Sequence, residues 1–228
     1  MLLIRENNVI YKSTLLLLSG VLIFCSGIVQ AQEQEQGTNP YVLLETVATK
    51  TFSRLKKESQ LIDENPELLR KVIEEELLPY IHYRFAASMV LGKYYKTIPK
   101  EKLPEYFSVF RSYLITTYAL ALTYYDGQDV TFEPAREIPI NKKKVTVKAM
   151  ILEPGRDNII LAFAVRKDKK TNMWKAYDMK AQGVSVISGV QTVFHPILSK
   201  KDGIEKVIDL MKSTINRPIS IVDKKEES

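Results

Sequence analysis

Apolar residues recur every three or four positions from about residue 40 to 124, follow a two-residue or continuous pattern from about 129 to 180, and then return to helical spacing. In the first region Tyr41, Leu44, Ala48, Phe52 and Leu55 form one helical stripe, opened by Asn39 as N-cap and Pro40 at the first helical position. Asn65-Pro66-Glu67 repeats this start signal, and Leu69, Ile73 and Leu77 predict a second helix that stops at Pro79. Tyr80 to Tyr95 is dense in aromatics and broken at Gly92, which predicts short helices. Pro99 and Pro104 frame the longest helix, running to about Tyr124 with the stripe Leu103, Phe107, Phe110, Leu114, Tyr118 and Ala121.

Asp126-Gly127 marks a change of period. Strands are predicted near 129–133, 143–152, 158–167 and 173–180, with turns at Pro154-Gly155-Arg156-Asp157 and Asp168 to Asn172. Short turns between successive strands make an antiparallel meander. Alternation is clear at Val145, Val147, Ala149 and Ile151. It is lost at Ile159 to Val165, seven residues without a polar side chain, so Ile160, Ala162 and Ala164 make an apolar outer face that needs a helix to cover it or a docking partner. After Gly183 a helix follows through Ile187, Val190, Phe194 and Leu198. Asp202 with Glu205 then offers a capping box for a last helix carrying Ile204, Val207, Ile208, Met211 and Ile215. Helices, then a curled antiparallel sheet of about four strands, then helices define an α+β domain over 39–216.

The ends differ in composition. Arg5 and Lys12 precede an apolar run from Leu15 to Val29, ending in Val29-Gln30-Ala31, and this predicts a cleavable signal peptide over 1–31. The run is short for a spanning helix, which needs about 20 residues. The single cysteine, Cys25, lies within it behind the bulky Ile23-Phe24, which argues against a lipid anchor and leaves the exported chain without disulfides or a thiol nucleophile. A polar linker is expected over 32–38 and a loose polar tail over 217–228. The net charge of +6 from 33 basic and 27 acidic residues is read either as favouring acidic partners or anionic head groups, or simply as serving solubility. The basic residues are scattered and not interleaved with aromatics, so nucleic acid is not an expected partner.

Candidate chemistry is sparse. His82 and His195 are the only histidines and have no spacing that suits a metal site. Gly183-Val184-Ser185-Val186-Ile187 lacks the second glycine of a nucleophile elbow, and no phosphate-binding glycine loop occurs. Glu74-Glu75-Glu76 reads as a solvated helix face. Asp178, within an otherwise apolar strand, is the one carboxylate of interest: hydrogen-bonded to backbone or tyrosine on the structural reading, a general base on the enzymatic one. The tyrosines, twelve in all and eleven after the expected signal peptide, suit the mouth of a pocket, apolar in the ring and water-tolerant at the hydroxyl.

Five segments, Thr38-Asn39-Pro40-Tyr41, Glu76-Leu77-Leu78-Pro79-Tyr80, Val90-Leu91-Gly92-Lys93-Tyr94-Tyr95, Trp174 to Met179 and Gly183-Val184-Ser185, resemble in order and spacing the MlaC family of periplasmic phospholipid-binding proteins. The resemblance runs from about Thr38 to Ile215. It implies an NTF2-like curled sheet with helices enclosing acyl chains and no catalytic residues. It also implies a soluble periplasmic carrier of glycerophospholipid, with lipid as cargo and no cofactor. The implied partners are an inner-membrane ABC transporter complex containing MlaD and an outer-membrane complex containing MlaA; the carrier itself is expected as a monomer.

Within that fold, periodicity assigns pocket walls to Val147, Ala149, Ile151, Leu161, Phe163 and Val165 on the sheet, and to Met89, Phe107, Phe110, Leu114, Tyr118, Val184 and Ile187 on the helices and their flanks. Alternation does not settle which face of the Trp174–Met179 strand points inward; Tyr177 and Met179 are assigned to the pocket, Trp174 against helices. Two other readings stand beside the carrier: a small-molecule enzyme on the same fold with Asp178 as base, and an adaptor with a solid core.

Overall fold

The computed structural model describes residues 39–221; the expected signal peptide and linker lie outside the described residues, as does the tail beyond Ile221. Helix α1 (Pro40–Lys57) starts as its sequence predicts, with the Asn39 side chain accepting the Tyr41 N–H at 3.0 Å. A short helix, α2 (Ser59–Glu64), follows directly and was not legible as a separate element. Helix α3 (Leu68–Val72) widens into a π-helical turn over Ile73–Leu77 and tightens into a 3₁₀ turn over Leu78–Tyr80. Pro79 lies in that last turn and offers no N–H to a carbonyl behind it, so regular helix cannot run on.

Helix α4 (Tyr83–Leu91) ends at Gly92, whose φ of +53° and close approach to the His195 ring leave little room for a side chain. A 3₁₀ segment leads to the long helix α5 (Leu103–Leu122). Five strands follow, β1 (Val130–Phe132), β2 (Lys144–Ile151), β3 (Ile159–Lys167), β4 (Trp174–Ala181) and β5 (Val184–Ser185), then α6 (Val186–Leu198) and α7 (Gly203–Ile215). The strands pair in sequence order, every neighbour antiparallel. The fifth strand exceeds the expected count. It closes a two-residue hairpin in which Gln182 and Gly183 both have positive φ, the backbone that a tight antiparallel turn requires.

Pairing between β3 and β4 slips once: Ala164 faces Asp178 while Val165 faces Ala176. Tyr177 is therefore the extra residue of a β-bulge, which bends the strand and increases its twist. The slip also resolves the ambiguity of this strand. Trp174 and Ala176 share the inner face with Val165, and Met179 shares it with Phe163, although their spacing is odd.

The helices gather on the inner side of the sheet. Helices α4 to α7 make one core around Val90, Leu91, Tyr106, Phe110, Phe194 and Met211. A second core joins the end of α1 with α2, α3 and α5 through Leu55, Ile62, Val72, Ile73 and Ile115. A third seats the start of α1 on the sheet, Tyr41, Leu43, Leu44 and Val47 against Val147, Val165 and Trp174. The outer face is not covered: Ile160 is 52% exposed, and Lys148 and Lys180, which flank Ala162, are exposed.

Three local expectations are corrected. Asp202 takes a left-handed conformation and makes no side-chain cap, and Gly203 is needed because a Cβ there would stand 2.5 Å from the Ile197 carbonyl oxygen. Glu76 is not a solvated position: it is buried against α1, its carboxylate paired with Lys50 at 2.9 Å and Arg54 at 2.9 Å. The residues after Arg217 are not loose at their start, because Ile219 is buried in the second core and its N–H donates to Glu67 at 2.8 Å.

An apolar cavity with a polar mouth

The space between sheet and helices is not filled. A cavity of about 240 Å³ lies there, some tenfold more than one water molecule needs. Four successive turns of α5 supply Phe110, Leu114, Tyr118 and Leu122, spaced four residues apart and therefore on one face. The sheet supplies Phe132, Ile151, Leu161, Phe163 and Met179, with Tyr177 placed by the bulge. Helix α1 contributes Leu44, Val47, Ala48, Thr51 and Phe52; α6 contributes Val186, Ile187 and Val190. Leu77, Tyr80 and Ile81, at the π and 3₁₀ turns, close one side.

Phe110, Leu114, Tyr118, Ile151, Leu161, Phe163, Tyr177, Met179 and Ile187 thus stand on the wall assigned to them. Six others do not. Met89 and Phe107 pack in the all-helical core; Phe107 lies beneath the Arg84 guanidinium, and Gln191 donates to the Met89 carbonyl. Val147 and Val165 are on the inner face but fully buried beneath α1. Ala149 is also inward and buried, paired with Phe132 and Leu161, whose larger side chains form the wall. Val184 is 67% exposed in the β4–β5 hairpin; its neighbour Ser185 caps α6 by accepting the Ser188 N–H, and the first helical residue, Val186, reaches the cavity instead. The largest omission was α1. Its stripe was legible, but nothing in a buried stripe says whether it meets side chains or empty space.

Polar groups on this wall are few and mostly satisfied. The Thr51 hydroxyl donates to the Val47 carbonyl. Asp178 accepts from the Met179 N–H at 2.9 Å, the Ile187 N–H at 3.2 Å and the Ser185 hydroxyl at 2.7 Å, so the carboxylate fastens β4 to β5 and the start of α6. Tyr118 keeps accessible surface, but that surface faces the cavity and not bulk water. Burial, then the nearby Asp178 charge, push its hydroxyl up to about 12.

A more polar groove of about 760 Å³ adjoins the cavity and shares Ala48, Phe52, Leu122, Val130 and Phe132 with it. Its remaining wall includes Thr49, Ser53, Lys56, Ser59, Asp63, Asp126, Gln128 and Asp129. Phe52 stacks on Tyr125 at 4.7 Å where the two spaces meet. Neither histidine lies in either space. His82 pairs with Asp168 at 3.1 Å, its ring held below the ordinary histidine value mainly by burial, and His195 meets the Val90 carbonyl at 2.9 Å. Among the described residues no cluster of histidine, cysteine and carboxylates could hold a metal ion, and no helix is long and apolar enough to cross a membrane.

Fold and site together define an α+β domain in which a curled antiparallel sheet and a layer of helices enclose an apolar cavity with a polar mouth. The chain belongs to the MlaC family: the family model described as MlaC protein matches residues 45–213. It is 34% identical over 183 residues to the intermembrane phospholipid transport system binding protein MlaC of Haemophilus influenzae, covering 80% of this chain and 85% of that protein. In fold it is similar to the phospholipid-binding protein from Ralstonia solanacearum, solved in complex with a phospholipid, with a TM-score of 0.67, 20% identity and coverage of 78% of this chain and 97% of that one.

Proposed function

We propose that this protein is a periplasmic carrier that holds a glycerophospholipid by its acyl chains in the α5–sheet cavity and carries it between membrane complexes. The observation that carries this reading is the union of an apolar cavity with a polar mouth in a chain of the MlaC family. Each buried methylene is worth ~0.8 kcal/mol, so about 30 methylenes of a two-chain lipid represent over ~20 kcal/mol of exposure that a dry wall relieves. The head group stays at the mouth, because burying its charge would need paired countercharges. Two relatives point the same way, one named for phospholipid transport and one solved with phospholipid bound.

The finer reading is exchange of cargo, as a monomer, with an inner-membrane transporter complex containing MlaD and an outer-membrane complex containing MlaA, maintaining outer-membrane lipid asymmetry. It requires export by the segment over 1–31. The enzymatic alternative needs Asp178 free to take a proton; its engagement by Met179, Ile187 and Ser185 favours a structural role. The test is an organic extract of the purified protein read by mass spectrometry, with uptake from phospholipid vesicles by the extracted protein. Stoichiometric phospholipid is expected. A lipid-free protein that takes up none would sink the proposal.

A further inference from the structure

Tyr118 is an element of the cavity wall that apolar cargo alone does not explain. It stands on the cavity-facing stripe of α5, with Leu114 before it and Leu122 after it. Its hydroxyl has no hydrogen-bond partner among the described residues, although the group is withdrawn from bulk water. A buried hydroxyl left without a partner costs about 1–3 kcal/mol, so a phenylalanine would be the better wall residue unless the cargo itself brings an acceptor.

The position along α5 says which part of the cargo that is. Leu122 belongs to the boundary shared with the polar groove. Tyr118 lies four residues earlier on the same face, about 6 Å deeper at ~1.5 Å per residue. The groups just behind a phospholipid head group are the acyl ester carbonyls. Asp178 narrows the choice further. Its carboxylate lies near enough to act on the Tyr118 hydroxyl, and its oxygens already accept from Met179, Ile187 and Ser185. A second anion, whether a phosphate or a fatty acid carboxylate, would be repelled there, whereas an uncharged carbonyl would not.

We infer that the Tyr118 hydroxyl donates a hydrogen bond to an acyl ester carbonyl of the bound lipid, fixing how deep the chains sit and selecting ester-linked over ether-linked lipids. This rests on the carrier reading above. It assigns Tyr118 a positioning role, distinct from the dispersion contacts of the remaining wall.

The test is competition between a diester phospholipid and the diether phospholipid with the same head group and chain lengths, offered in mixed vesicles to delipidated protein and read by native mass spectrometry. One hydrogen bond in a dry site predicts a preference of about 5- to 10-fold for the diester in the unaltered protein. Tyr118→Phe keeps the ring and should bind both lipids with that preference abolished. Tyr113→Phe, which removes a hydroxyl from the same helix but outside the cavity wall, should retain it. Equal binding of the two lipids by the unaltered protein, or an unchanged preference in Tyr118→Phe, overturns the hydrogen bond while leaving the carrier reading intact. Failure of the unaltered protein to take up either lipid overturns both.

Discussion

A wall residue and a core residue of this protein differ less in chemistry than in what faces them. Leu161 and Val147 both point inward from neighbouring strands, yet α1 seals Val147 while Leu161 looks into the cavity. Their substitutions should therefore differ in consequence. A carboxylate at position 161 would occupy the cavity and make chain burial unfavourable, since an unpaired charge in a dry site is costly. Leu161→Glu is expected to lower phospholipid per protein at least about tenfold at an unchanged far-ultraviolet circular dichroism spectrum, the order of effect that the loss of ~1.4 kcal/mol of binding already produces. Val184→Glu places the same charge on the outer surface, at a residue 67% exposed, and should leave the lipid content unaltered. Depletion by Val184→Glu, or full loading of Leu161→Glu, would contradict the placement of the wall. Extracted lipid quantified against protein decides it.

At the level of elements, sequence patterning located most helices and strands but not the irregularities between them. The Asn39-Pro40 start, the α5 stripe and the alternation of β2 are local signals, and each element forms where they put it. The β4 bulge has no such signal, because one inserted residue, Tyr177, looks in sequence like ordinary strand. Helix α2 was hidden because the polar run Lys56-Lys57-Glu58 continues the α1 pattern without a break. The π-helical turn was equally hidden, and with it the role of Glu76. That carboxyl is held below its ordinary value of 4.5 by the hydrogen bond from Lys50, against the opposing effect of burial, with Arg54 adding to the depression. A carboxylate with a lowered folded-state value stabilises the fold above its unfolded value and loses that contribution as pH falls through the folded one. Glu76→Gln should accordingly lower the melting temperature at pH 7, on the order of 2–4 °C for a domain of this size. The difference should narrow as the pH drops below 4.5. A constant difference across paired melting curves at pH 7 and pH 3 would show that the pairing of Glu76 with Lys50 and Arg54 does not couple α1 to the turn.

On the scale of the whole molecule, the boundary between cavity and groove includes one weakly reinforced segment, β1. Val130 and Phe132 belong to a three-residue strand bonded to β2 alone, at the sheet edge. Leu122, the last residue of α5, and Ala48 and Phe52 of α1 are better held, because this half of α1 packs in the second core and is paired to Glu76 through Lys50 and Arg54. Strand β3, by contrast, is paired along its length on both sides. Segments with few hydrogen bonds and few packed neighbours open locally at low free energy, and a carrier must open somewhere to pass two chains. Cargo that bridges β1 to α1 and α5 adds contacts that β1 otherwise lacks, and a ligand bound to the closed form suppresses opening by mass action. Removing lipid should therefore raise amide hydrogen exchange over residues 123–132 by about tenfold or more, while β3 changes little. Comparing lipid-loaded and delipidated protein by hydrogen-exchange mass spectrometry tests this. Protection lost evenly across the sheet would instead mean that the cavity collapses as a unit, and that chains do not leave by the edge where β1 meets the polar groove.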